Sequence, residues 1–171
     1  DILMKASFQQ DYPASVAKLW QVFGDPEYPH KKYRALGISA YEVHQFDVSG
    51  TRISLDMTRT LSIPPDKIPA LVQRFLHPEQ ALRYVSSWNR ITPEHADFVL
   101  EIIPHGLPIH VRASGTLRQA DSNHSTMALE FNVKASIPLL GGKIEHMVIQ
   151  QIEKSFRSDH AYTMQYLAEN S

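Results

Sequence analysis

Three side chains stand where an alternating strand pattern would not place them. In the run 51–61, Ile53, Leu55, Met57 and Leu61 fall on one face and Arg52, Ser54, Asp56, Thr58 and Thr60 on the other, which puts Arg59 on the apolar side. In the run before it, Glu42 and His44 share the parity of Ile38, Ala40 and Phe46. A charge taken out of water alone costs several kcal/mol, so such groups are expected to meet each other or a ligand. The chemistry they offer is anchoring: a guanidinium binds a carboxylate or phosphate through paired N–H donors, with His44 or Glu42 as its protein partner. His44 is also the group suited to proton transfer near neutral pH. The competing reading is a bulge that shifts the register, or a place at the wet rim of the sheet.

Other catalytic signatures are missing. The chain has no cysteine, which excludes disulfides, thiolate metal sites and a Cys nucleophile. Its 9 histidines form no HExxH pattern. His146 and His160 sit too far apart along one helix to share a metal, and His105 and His110 merely flank a turn. No Gly-x-Ser-x-Gly elbow occurs, and Gly141-Gly142 lacks the partners of a phosphate loop. No metal and no cofactor is expected. With 17 Lys+Arg against 18 Asp+Glu the net charge is −1, and the densest basic cluster, Lys31-Lys32-Tyr33-Arg34, reads as a solvated patch. A nucleic-acid partner is therefore not expected.

The elements that must position these residues follow from hydrophobic period. Met4, Ala6 and Phe8 alternate as a strand. Val16, Leu19, Trp20 and Phe23 form one helical stripe, with Asp11 as a cap and Pro13 near the first turn. A second short helix is expected over 27–35, closed by Gly37. Runs 38–48 and 51–61 meet at Ser49-Gly50 as a hairpin, and further strands are expected over 81–90, 96–103, 109–119 and 126–137. The last element is a helix over 143–167, about 37 Å long, with an unusually broad apolar side built from Ile144, Val148, Ile152 and Phe156 together with Met147, Ile149, Met164 and Leu167. Glu145 falls in its first turn, where the helix dipole favours a negative charge.

A strand, two short helices, six strands and a long helix make the helix-grip order. The segment Gly115-Thr116-Leu117, and above all Ala135-Ser136-Ile137-Pro138-Leu139-Leu140-Gly141-Gly142-Lys143-Ile144-Glu145, carries a last strand through Ile-Pro and Gly-Gly into the final helix. In this the chain resembles the START-like (SRPBCC) superfamily, which includes birch-pollen-allergen relatives and polyketide cyclases, and more closely an uncharacterised bacterial family within it. The resemblance spans nearly the whole chain and implies an α+β fold, a curved seven-stranded antiparallel sheet gripping the C-terminal helix, as one domain over 1–171. It also implies binding of lipids, sterols or aromatic polyketides, and in some branches cyclisation or dehydration of the bound molecule. It transfers no catalytic motif.

Between sheet and helix the expected apolar inventory is Leu55, Met57, Tyr84, Trp88, Phe98, Leu100, Val111, Met127, Leu129, Phe131, Met147, Val148 and Phe156. Methionines and aromatics in that mixture suit an adaptable pocket. The ligand-binding candidates are therefore Glu42, His44, Leu55, Met57, Arg59, Tyr84, Trp88, Leu100, Val111, Met127, Phe131, Met147 and Phe156. The segment 63–77, with Ile68, Leu71, Val72, Phe75 and Leu76, suits a lid, a homodimer contact or a membrane-touching patch. No run reaches the roughly 20 apolar residues of a spanning helix and no signal peptide is visible, so a cytoplasmic chain is expected. The leading expectation is a carrier or sensor of a hydrophobic or amphipathic small molecule. A cyclase or dehydratase and a protein-interaction module are the rivals.

Overall fold

A computed structural model describes residues 4–62, 64–75 and 79–170. Seven strands, β1 (Met4–Tyr12), β2 (Tyr41–Val48), β3 (Arg52–Ser62), β4 (Glu79–Thr92), β5 (His95–Pro104), β6 (Ile109–Asp121) and β7 (His124–Ala135), form one antiparallel sheet in the order β1-β7-β6-β5-β4-β3-β2. Helices α1 (Val16–Phe23) and α2 (Tyr28–Ala35) separate β1 from β2, and α3 (Gly141–Glu169) follows β7. This is the α+β helix-grip architecture the element order implied.

Alternation does what strand geometry requires. Along β5, Ala96, Phe98, Leu100 and Ile102 are buried while Val99, Glu101 and Ile103 point outward. Register lines the inward residues into rows that cross the sheet. One row runs Leu55, Ser86, Leu100, Ala113, Phe131, and a second runs Met57, Tyr84, Ile102, Val111, Val133. Of the two small members of the first row, Ser86 lines the cavity between sheet and α3.

Several local signals resolve differently in three dimensions. Ser15, not Asp11, caps α1, its hydroxyl accepting from the Lys18 N–H at 3.1 Å. Asp11 belongs to β1, where it accepts from Thr126 across the strand pair. At the turn into α3 the left-handed residue is Leu139, with φ 67°, rather than either glycine. Gly141 is required for closeness instead: a Cβ there would lie 2.5 Å from the Ala135 carbonyl oxygen. Glu145 is not a surface charge answering the helix dipole. It is buried and accepts from the Ala135 N–H at 2.8 Å, tying the end of β7 to the start of α3. In the segment after β3 the apolar residues divide: Ile68 and Val72 are buried, Phe75 is half-buried and Leu71 is exposed, while Ile63, Leu76 and His77 lie outside the described residues.

Candidate functional site

Helix α3 lies against β1 and β7, so it covers one flank of the concave face. Over the other flank, β3 to β6, the helix stands off the sheet, and a cavity of about 240 Å³ remains. Leu55, Met57 and Arg59 of β3 line it, with Tyr84 and Trp88 of β4. Leu100, Val111 and Met127 extend the floor through β5, β6 and β7, and Met147 and Phe156 of α3 form the roof. Phe23 of α1 stacks on Trp88 with centroids 5.5 Å apart and planes 13° from parallel, closing one end.

The remaining candidates lie elsewhere, each for a physical reason. Phe131 is fully buried beneath α3, its ring meeting Phe8 at 5.4 Å and Phe156 at 5.1 Å, and packs instead of lining the cavity. Glu42 and His44 are carried to the outer face by a β-bulge between Val43 and Gln45, so that Tyr41 sits opposite Arg59 and Val43 opposite Met57. There the His44 Nε2 bonds the Thr58 hydroxyl at 2.7 Å, and its Nδ1 stands 3.9 Å from Glu42. Neither can partner Arg59. The same outer face carries the Arg83–Asp56 ion pair at 2.6 Å, whose hydrogen bonds hold the Asp56 carboxyl below its ordinary range.

A polar group missed by the sequence reading lines the cavity instead. Lys32, expected in a solvated patch, is turned inward by α2, and its Nζ lies 3.3 Å from Asp159 on α3 with their side chains 16% and 26% exposed. Burial alone would depress the Lys32 ammonium, but Asp159 and the rings of Tyr33 and Tyr28 outweigh it and hold the group well above its ordinary value. Beside this pair, the hydroxyls of Tyr28 and Thr163 share a buried hydrogen bond, and Tyr12 donates to Gln10 at 3.1 Å. Burial pushes the Tyr28 phenol up to about 12. The signal was present: Gln151, Ser155, Asp159 and Thr163 recur every fourth residue, a polar stripe adjoining the apolar one. Asp159→Leu strands the Lys32 charge in a partly wet wall and is expected to cost about 2–3 kcal/mol in urea unfolding. That is below the 3–5 of a fully buried pair, and Lys32→Met added to it should restore most of the loss. A double variant no more stable than the single would show that the pair is not the source.

Arg59 is the outlier of the cavity wall. It is 8% exposed, its guanidinium carbon stands 5.5 Å from the Tyr33 ring and 5.6 Å from the Tyr84 ring, and its Nε is buried without a partner. Tyr33 is itself held by a hydrogen bond to the Met57 sulfur at 3.2 Å.

Three solved structures frame this geometry. The Zhui aromatase/cyclase from Streptomyces sp. R1128 superposes with a TM-score of 0.60 at 8% identity, covering 96% of this chain and 93% of that one. A START superfamily protein from Mycobacterium smegmatis gives 0.55 at 9% identity over 95% and 98%. Dicamba monooxygenase bound to 3,6-dichlorosalicylic acid gives 0.56 at 12% identity over 96% of this chain and 49% of the enzyme, so the chain spans about half that enzyme's length. Identities this low speak for the fold alone. No curated protein matches the sequence. A family model described as "Protein of unknown function (DUF2505)" matches residues 7–167, and the chain belongs to that family.

Proposed function

We propose that the protein encloses a small, largely apolar molecule between its sheet and α3, as a carrier or sensor. The observation that carries this reading is the aromatic and aliphatic cavity, walled by Leu55, Met57, Tyr84, Trp88, Leu100, Val111, Met127, Met147 and Phe156. Its volume of about 240 Å³ lies below the roughly 300–1,000 Å³ typical of ligand pockets, which favours a one- or two-ring molecule or a short acyl chain over a two-chain lipid. The neighbours agree in kind, since one holds a dichlorosalicylic acid and another is an aromatase/cyclase. A cyclase reading is less well supported. His44 faces outward, Lys32 and Asp159 are bonded to each other, and the His160 ring bonds the Asp11 carbonyl at 2.7 Å. The same reading takes the protein to work in the cytoplasm with a small molecule rather than a nucleic acid as its partner.

The test is saturable binding of the neutral fluorophore N-phenyl-1-naphthylamine, with Ser86→Phe as the control. Ser86 lines the cavity, so a phenyl group there fills it. One-to-one binding by the wild type and at least tenfold weaker binding by a folded Ser86→Phe variant is the expected result. Binding unchanged by the filled cavity would sink the proposal.

A further inference from the structure

Resting on the cavity-binding reading, the geometry points to a ligand that carries a single carboxylate, received by the guanidinium of Arg59. Among the described residues two arginines have a buried, unpartnered Nε, Arg59 and Arg90, and they differ in kind. Arg90 lies over Trp20 and donates from Nη2 to the Pro93 carbonyl at 3.0 Å. Arg59 lines the cavity, and no hydrogen bond or ion pair holds it among the described residues; two tyrosine rings alone flank it. A charge so removed from water is costly unless something answers it, and the group the sequence offered as its answer, Glu42 with His44, is on the far side of the sheet.

Charge counting gives the ligand's valence. Lys32, Arg59 and Asp159 line the cavity, and Asp159 is taken by Lys32, so one positive charge is left over; His160 can only add to it. A monoanion neutralises that excess. A phosphate monoester brings a second negative charge into the same apolar space with no cation to meet it. A carboxylate also matches a guanidinium fork, accepting two parallel N–H bonds, and flanking rings at 5.5 and 5.6 Å hold the fork in one orientation. The wall around it is apolar, so the rest of the ligand is a hydrocarbon or aromatic body: an aryl carboxylic acid or a short fatty acid.

Titration calorimetry of 2-naphthoate against 2-naphthamide tests this, because the two differ little in shape and by one charge. Wild-type protein should bind the acid about ten- to a hundred-fold more tightly than the amide, the worth of a hydrogen-bonded charge. Arg59→Met, its fold checked by circular dichroism, should erase that preference. Should that variant fold poorly, the wild type alone decides. Its naphthoate affinity must fall as pH drops through the ligand's own carboxyl range while naphthamide stays flat, and 2-naphthyl phosphate must bind more weakly than naphthoate. Equal affinity for acid and amide, or a preference for the phosphate, overturns the inference and leaves the cavity reading standing. Failure of naphthoate, naphthamide and the neutral fluorophore alike brings down both.

Discussion

A Phe131→Ala variant is expected to lose about 3–5 kcal/mol of stability in urea or thermal unfolding, enough to remove much of a typical domain's margin. The ring is fully buried and meets two others edge to face, Phe8 from β1 and Phe156 from α3. Its loss therefore removes transfer energy, opens a void and loosens the helix from the sheet at the flank where they touch. Small-molecule binding by the folded fraction should weaken only indirectly, through the Phe156 ring that Phe131 supports, since Phe131 itself is off the cavity wall. A variant that keeps its stability but loses N-phenyl-1-naphthylamine affinity would return Phe131 to the wall.

Raising the pH should produce the second large effect. Tyr28 and Tyr84 are both pushed up to about 12 from an ordinary 10.0, burial being the main cause, and Arg59 partly offsets it for Tyr84. Burial drives the Tyr12 phenol higher still. Below pH 10 the phenols are protonated in folded and unfolded chains alike, so stability is flat on their account. Above it the unfolded chain ionises first, and stability falls until the folded phenols titrate near 12. The raised Lys32 ammonium acts in the same sense, because the unfolded chain gives up that proton sooner. Each shifted tyrosine contributes on the order of 2 kcal/mol, so together they should unfold the protein between pH 10 and about 12. Urea midpoints and tyrosinate absorbance followed together should show ionisation arriving with unfolding. Absorbance showing all 7 tyrosines ionised near pH 10 in a chain still folded would contradict the burial of these rings.

The order of elements was legible because period is local. Alternation in β5 and β7 and the four-residue recurrence of Ile144, Val148, Ile152 and Phe156 are properties of neighbouring residues, and a strand or helix displays them without help from the rest of the chain. The same alternation placed Leu55, Met57, Arg59, Tyr84 and Trp88 on the inner face, where the structure has them. It failed at Glu42 and His44, since one extra residue in a strand reverses every later parity and a bulge is settled by the partner strand, here β3.

Three further matters were tertiary decisions. Phe131 and Leu100 stand in one row of the sheet and carry the same apolar signal, yet α3 covers the first and leaves the second facing the cavity. Lys32 reads as solvent-facing beside Lys31 and Arg34, and becomes part of the wall because Asp159, 127 residues away in sequence, comes to meet it. Glu145 is drawn into a buried bond by the unpaired N–H that β7 presents as it ends. By itself the sequence determined which residues form strands and helices and, outside the bulged β2, which faces are apolar. Where the long helix rests on the sheet, and therefore where empty space and an unanswered charge remain, depends on contacts between distant segments that no local period records.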